Sequence, residues 1–123
     1  MILLNSFYFI QTINLTENSI SAKLKFKKDH PIYEGHFPEQ PVTPGVCMIQ
    51  MVKEITEKEC HLKLLISKAT EIKYLDMLIP DDENFSNLII NYNITTPKSI
   101  SIIASLSTNE KVNFKFKAEM TII

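Results

Sequence analysis

The residues best suited to chemistry lie within one short stretch, HPIYEGHFPEQPVTPGVCMIQ, residues 30–50. It holds both glycines of the chain, four of its six prolines and two of its three histidines. His36 carries an imidazole that can gain or lose a proton near neutral pH, as acid–base catalysis requires. Gly45 lies where a helix is predicted to begin, and the N–H groups of a first helical turn favour negative charge. The stretch therefore predicts a titratable group beside an oxyanion site.

The prolines and glycines of this stretch predict a stiff loop that leads to the helix. Proline fixes φ and biases the preceding residue away from helical conformation. Gly35, which precedes His36, permits a backbone conformation or a close approach that a side chain would forbid. Four prolines define the extended path: Pro31, Pro38, Pro41 and Pro44.

A helix is predicted from Pro44 to about Glu59, with Thr43 as its N-cap and Pro44 in its first turn. The first half of this helix is apolar on nearly every side, and such a helix should be enclosed by the rest of the fold. The apolar positions are Val46, Cys47, Met48, Ile49, Met51, Val52 and Ile55.

The remainder of the chain reads as β-structure, with turn-forming clusters LTENS, IPDDEN, TTPK and NEK between extended runs. The runs are residues 5–13, 19–27, 60–78, 85–94, 99–108 and 112–123. In the last run, apolar residues alternate with polar ones, which is typical of a half-buried antiparallel strand. We therefore predict an α+β fold, a single domain over residues 1–123 in which an antiparallel sheet wraps around one central helix.

Composition excludes several classes of function. Hydrophobic residues make up 45% of the 123 residues, charged residues make up 22%, and the net charge is −1. A charge this small predicts no nucleic-acid partner and no attraction to an anionic membrane. The N-terminal MILLNSFYFI is too short to span a bilayer and lacks the features of a signal peptide. Cys47 and Cys60 form no CxxC pair, which favours a reducing, cytoplasmic location.

The segment GHFPEQPVTPGV resembles the signature of the hotdog-fold β-hydroxyacyl-(acyl carrier protein) dehydratases of fatty-acid synthesis. That signature runs Gly-His-Phe-Pro, two variable residues, Pro-Val, one variable residue and Pro-Gly-Val. The resemblance extends more weakly along almost the whole chain, and it implies a hotdog fold. Nine positions match in register: Gly35, His36, Phe37, Pro38, Pro41, Val42, Pro44, Gly45 and Val46.

The resemblance also implies an activity, the dehydration of a 3-hydroxyacyl thioester to the trans-2-enoyl thioester. The substrate would be carried on the phosphopantetheine arm of an acyl carrier protein, with no bound cofactor and no metal. By resemblance, His36 is the base for the C2 proton and the N–H of Gly45 polarises the thioester carbonyl. The residues expected to line the acyl tunnel or its mouth are Tyr33, Phe37, Pro44, Val46 and Ile49.

The sequence departs from the family at the catalytic acid, a Glu or Asp that the partner subunit contributes from its central helix. This sequence has Gln50 there, and an amide cannot release a proton at neutral pH. Acid–base groups contribute about 10²–10⁴-fold to rate, so a homodimer of this chain should be badly impaired. Glu54, one helical turn further on, is a possible substitute, as are Glu34 and Glu39 beside the motif.

Three hypotheses follow from these residues. The chain is a dehydratase whose site is completed by an acid-bearing hotdog partner in a heterodimer, since the family forms dimers with sites at the interface. Alternatively, it is a non-catalytic hotdog subunit that binds acyl carrier protein or stabilises an assembly. In either case we expect a homodimer, a heterodimer with an acid-bearing hotdog subunit, or a higher oligomer. A hotdog acyl thioesterase is the third possibility, although the complete Gly-His-Phe-Pro pattern argues against it.

Overall fold

The computed structural model describes residues 2–35, 42–81 and 83–123. Within these ranges the chain forms six strands, one α-helix and a short 3₁₀-helix at Pro31–Gly35. The elements are β1 (Tyr8–Leu15), β2 (Ser19–Phe26), α1 (Gly45–Cys60), β3 (Leu64–Tyr74), β4 (Ser86–Thr96), β5 (Ser99–Thr108) and β6 (Lys111–Ile122). The strands make one antiparallel sheet in the order β1-β2-β4-β5-β6-β3. The predicted class, an antiparallel sheet with one central helix, is confirmed.

The sheet forms because its strands alternate apolar and polar residues, so that one face can be buried. In β6, Phe114, Phe116 and Met120 are buried whereas Lys115 and Lys117 are exposed. Side chains of successive residues point to opposite faces of a strand, which places the aromatic rings against the core. The predicted half-buried strand at residues 112–123 is confirmed.

Strand β1 begins later than expected, at Tyr8 rather than at residue 5. Asn5 has a positive φ of 67°, and the N–H groups of Ser6 and Phe7 both donate to the carbonyl oxygen of Leu3. These contacts form a turn before the strand starts. Leu3 and Phe7 are nonetheless buried in the core, so the apolar N-terminal residues contribute to packing.

Helix α1 lies close to its predicted bounds, but its N-cap was wrong. The cap residue is Pro44, with φ −62° and ψ 140°, and no side chain caps the helix. Thr43 lies one residue too early, and its buried hydroxyl is hydrogen-bonded to the Tyr33 hydroxyl at 3.0 Å. The helix ends at Cys60, where His61 adopts a left-handed conformation and its N–H donates to the carbonyl of Glu57.

Contrary to expectation, the described residues do not enclose the helix on every side. The sheet covers one face, which buries Cys47, Met48, Met51, Val52, Ile55 and Thr56. On the opposite side Val46 is 72% exposed, and Ile49 and Gln50 are only partly buried. A single sheet can cover only one side of a helix, so the apolar residues of the other side lie at the surface of this chain.

Strand β3 is an edge of the sheet and pairs only with β6 among the described residues. Its residues Ile66, Ile72 and Tyr74 stand opposite buried residues of β6, so they share the helix-side face of the sheet. They are nevertheless 39%, 43% and 53% exposed. An exposed apolar edge strand is a template for pairing with another chain. This edge adjoins the open side of α1.

Candidate active site

The candidate site is built on the first turn of α1. Helix α1 begins at Gly45, and the N–H of Cys47 donates to the carbonyl of Pro44 at 3.0 Å. The preceding N–H groups, those of Gly45 and Val46, have no acceptor within the helix. The helix dipole adds a partial positive charge at this end. The first turn can therefore stabilise an oxygen that gains negative charge.

Tyr74, at the end of β3, lies across this first turn. A Cβ at position 45 would overlap the hydroxyl-bearing end of the Tyr74 ring, so glycine is what lets the ring approach the helix. The ring stacks on Phe114 with centroids 5.4 Å apart. Burial raises the pKa of the Tyr74 hydroxyl, which therefore remains an O–H group at neutral pH. The sequence analysis missed Tyr74, because an aromatic residue in an extended run carries no signal of this contact.

A cavity of about 350 Å³ opens between the helix tip and the segment that follows β3. Apolar side chains supply most of its walls, and the backbone of the first helical turn forms one end. An acyl chain or the linear arm of a thioester fits such a lining. The residues that line the cavity are Val42, Thr43, Gly45, Met48, Tyr74, Leu75, Asp76, Met77 and Leu78.

Asn113 fixes the wall of this cavity. Its carbonyl oxygen accepts the N–H of Leu75 at 2.9 Å, and its side-chain amide donates to the carbonyls of Asp76 and Met77 at 3.5 and 3.4 Å. Asn113 is 2% exposed, because an irregularity in the β5–β6 register turns it away from the solvent face. The contacts of Asn113 with this segment could not be predicted from the sequence, because Asn113 occupies a polar position of an alternating strand, where burial is not expected.

Gln50 lies just over one turn into α1, on the partly exposed side. Its Nε2 donates to Oε2 of Glu54 at 2.8 Å. Glu54 also accepts hydrogen bonds from the N–H groups of Leu3 and Leu4 and from the hydroxyl of Tyr8. The carboxylate considered above as a substitute acid is thus occupied in holding the N-terminal segment. Glu34, the second candidate, is exposed, whereas Glu39 lies outside the described residues.

The expected tunnel residues lie in three different surroundings. Val46 is exposed on the open side of α1, and Ile49 and Pro44 are partly buried. Tyr33 is 3% exposed and stacks on Phe7 with centroids 5.5 Å apart. The hydrogen bond between the hydroxyls of Tyr33 and Thr43 connects the 3₁₀-helix to the residue just before the N-cap of α1. A direct contact of each with substrate stays a prediction.

His36 and Phe37 fall outside the described residues, which omit positions 36–41. The described chain stops on one side at Gly35, the last residue of the 3₁₀-helix, and resumes at Val42, which lines the cavity. The assignment of His36 as the base rests on the sequence motif.

In the described ranges, no group of three or more His, Cys, Asp or Glu side chains could hold a metal ion. No helix in the described part of the chain is long and apolar enough to cross a bilayer.

A family model described as ApeI-like, ApeI dehydratase, matches residues 12–121. The chain belongs to the ApeI-like dehydratase family. This match spans nearly all of the sequence, including the motif stretch, α1 and all strands from within β1 to β6. The resemblance to hotdog dehydratases is thereby confirmed.

Curated relatives of this family member include 3-hydroxyacyl-(acyl-carrier-protein) dehydratases named FabZ. The protein from Streptococcus agalactiae serotype V is 28% identical over 80 residues, which cover 59% of this chain and 57% of that protein. The protein from Streptococcus sanguinis is 26% identical over the same shares. The match thus spans little more than half the length of these relatives.

Solved structures confirm the hotdog fold. The dehydratase heterocomplex ApeI:P from Xenorhabdus doucetiae superposes with a TM-score of 0.78 at 18% identity, covering 91% of this chain and 96% of that chain. A hypothetical thioesterase with coenzyme A from Streptococcus pneumoniae superposes with a TM-score of 0.68 at 11% identity, covering 96% and 88%. At such identities the likeness concerns the fold alone, and this fold carries dehydratases and thioesterases alike.

Within the ApeI-like dehydratase family, this chain combines two features on one helix. The backbone N–H groups of the first turn border the cavity, and the motif that contains His36 directly precedes them in the sequence. Position 50, on the same helix, carries a side-chain amide in place of a carboxylic acid.

Proposed function

We propose that the chain is the histidine-bearing subunit of a dehydratase that acts on 3-hydroxyacyl thioesters. The substrate would be carried on the phosphopantetheine arm of an acyl carrier protein, and the product would be the trans-2-enoyl thioester. The observation that carries this proposal is the cavity at the amide-rich tip of α1, directly after the motif that contains His36. Membership of a dehydratase family supports the choice of reaction.

The proposed reaction divides the work between three groups. His36 removes the proton from C2, and the N–H of Gly45 donates to the thioester oxygen as negative charge develops there. The C2–H bonding electrons form the C2–C3 double bond while the C3–O bond breaks. The hydroxyl leaves as water after taking a proton from an acid. Gln50 can bind that hydroxyl but cannot supply the proton.

The missing acid leads to a proposed partner, a second hotdog subunit that carries a carboxylic acid at the equivalent helix position. The exposed apolar edge of β3 and the open side of α1, with Val46 72% exposed, support pairing along this surface. In such a heterodimer His36 would face the partner's acid in one site, while Gln50 would face the partner's histidine in a weaker one. The solved neighbour is itself described as a dehydratase heterocomplex.

Co-expression with an acid-bearing family member tests this proposal. The pair should dehydrate a 3-hydroxyacyl thioester on acyl carrier protein, and the His36→Ala variant of this chain should remove one of its two sites. The matched Gln50→Ala variant should leave the His36 site active. If no acid-bearing partner yields dehydration that depends on His36, the proposal is wrong.

A non-catalytic, carrier-binding subunit is the second candidate, and the amide in place of an acid at position 50 favours it. That candidate predicts binding of acyl carrier protein without turnover in every pairing, unchanged by His36→Ala. Release of a free thiol in the same assays would instead indicate a thioesterase. For each candidate we propose a cytoplasmic protein that needs no bound cofactor.

A further inference from the structure

The carboxylate of Glu54 gathers four hydrogen-bond donors from two parts of the chain. Its Oε1 accepts the N–H groups of Leu3 and Leu4 at 3.0 and 2.9 Å and the hydroxyl of Tyr8 at 3.2 Å. Its Oε2 accepts the N–H of Leu3 at 2.9 Å and Nε2 of Gln50 at 2.8 Å. Glu54 therefore connects the N-terminal segment to the side chain at position 50.

Buried groups hold this carboxylate in place. Leu3 is 2% exposed and Tyr8 is fully buried, so neither can turn away from Glu54 without disturbing the core. Burial and the negative charge of Glu54 raise the pKa of the Tyr8 hydroxyl, which therefore keeps its proton and remains a donor. The N-terminal segment thus holds the carboxylate in place.

We propose that Glu54 is a positioning residue that sets the orientation of the Gln50 amide by holding Nε2 towards its own carboxylate. An ionised carboxylate only accepts hydrogen bonds, so the amide must direct Nε2 towards it. The oxygen of the amide then lies on the other branch of the side chain. The amide oxygen, rather than the nitrogen, is therefore the atom directed away from Glu54. The placement of Gln50 at the reacting centre rests on the proposed function.

The contact also determines how a carboxylate at position 50 would behave. Two carboxylates at hydrogen-bond distance cannot both ionise cheaply, so the pair shares one proton and the pKa of one member rises. Glu54 would thus raise the pKa of a carboxyl at position 50 and enlarge its protonated fraction, which favours a proton donor. Other charged groups lie in the same groove: Lys53, Glu57, Lys58 and Lys63.

Glu57 provides a matched control on the same helix. Its Oε2 accepts the N–H of Leu64 at 2.9 Å, so it too is a helix carboxylate that holds a backbone amide. Its partner belongs to β3 rather than to position 50. Replacement of Glu57 or of Glu54 by Gln removes the same charge and weakens the same kind of hydrogen bond.

The first test is a carboxyl titration followed by ¹³C NMR in three variants. In Gln50→Glu, the introduced carboxylate should titrate about one pH unit or more above the ordinary value of about 4.3. Adding Glu54→Gln should return it towards that value, whereas adding Glu57→Gln should change it little. Equal titration of the introduced group in all three proteins would overturn the proposal.

A second test needs no substitution and applies if the Glu54→Gln variants fail to fold. In the unaltered chain, the side-chain amide signals of Gln50 and the backbone amide signals of Leu3 and Leu4 should move together as Glu54 is protonated. Movement of the two backbone signals without the Gln50 signals would contradict the proposal. Neither test measures turnover, so coupled titration without any dehydration would contradict only the proposed function.

Discussion

The ring of Tyr74 lies against Gly45, so a residue at the end of the edge strand covers the first turn of the helix. The contact links the two parts of the molecule that the proposed active site requires: the amide groups of the helix tip and the exposed edge of the sheet. It also gives Gly45 a packing role in addition to the proposed role of its N–H.

Substitution of Gly45 by Ala should displace the Tyr74 ring. Overpacking costs about 1–3 kcal/mol, and because this ring is half exposed it can swing aside, so we expect a loss of about 1 kcal/mol in the free energy of unfolding. In a Tyr74→Ala background the same substitution should cost nothing or stabilise the helix slightly. Urea denaturation of the four proteins measures this coupling. Equal costs in both backgrounds would show that Tyr74 does not lie on Gly45.

Substitution of Ile72 by Lys should prevent self-association or pairing through β3. Ile72 is 43% exposed on an edge strand, and a charge there would be buried without a partner in a continuous sheet. Ile103→Lys is the matched control, because Ile103 is 52% exposed but lies on β5, away from the edge. Sedimentation should show a smaller species for the Ile72→Lys variant and an unchanged species for the Ile103→Lys variant. Identical assembly of both variants would place the interface elsewhere.

Tyr33→Phe should reduce the loss of stability at alkaline pH. Burial raises the pKa of Tyr33 to about 12 in the folded chain, from 10.0. Between pH 10 and pH 12 the folded state therefore retains a proton that the unfolded state has lost. The free energy of unfolding falls in this range by up to about 1.4 kcal/mol per pH unit. The contribution of the protonated Tyr33 hydroxyl to stability is fully present below pH 10 and is lost as the pH rises through 12.

The check is urea denaturation of the Tyr33→Phe variant and of the unaltered chain between pH 8 and pH 11. Tyr33→Phe should lose about 1 kcal/mol at pH 8, because the buried hydroxyl of Thr43 loses its partner. The free energy of unfolding of this variant should then fall less steeply with pH than that of the unaltered chain. A slope as steep as that of the unaltered chain would be the contrary result.

His61→Gly should stabilise the chain. His61 has φ 55° and ψ 47° at the C-terminus of α1, a left-handed conformation that costs a residue with a Cβ about 1 kcal/mol and glycine almost nothing. The free energy of unfolding should therefore rise by up to about 1 kcal/mol. His61→Ala keeps the Cβ and should give no gain, so equal stability of the Gly and Ala variants would contradict this reading.

The sequence predicted the features that depend on local patterns. Alternation identified β6, and the run from Pro44 to Glu59 identified α1 within one residue at each end. Contacts between distant residues could not be predicted this way. Thr43 was taken as the N-cap because its type suits that position, but burial against Tyr33 engages its hydroxyl instead. Glu54 was considered as an acid because of its spacing from Gln50, and only the fold brings Leu3 and Leu4 onto it.

Dehydration by the Gln50→Glu variant of this chain alone measures the central claim most directly. If His36 and the tip of α1 form a site that lacks only its acid, the variant should dehydrate a 3-hydroxyacyl thioester on acyl carrier protein about 10²-fold or more faster than the unaltered chain. Adding His36→Ala should abolish that gain. Rates that stay the same after Gln50→Glu, or a gain that survives the loss of His36, would contradict the account.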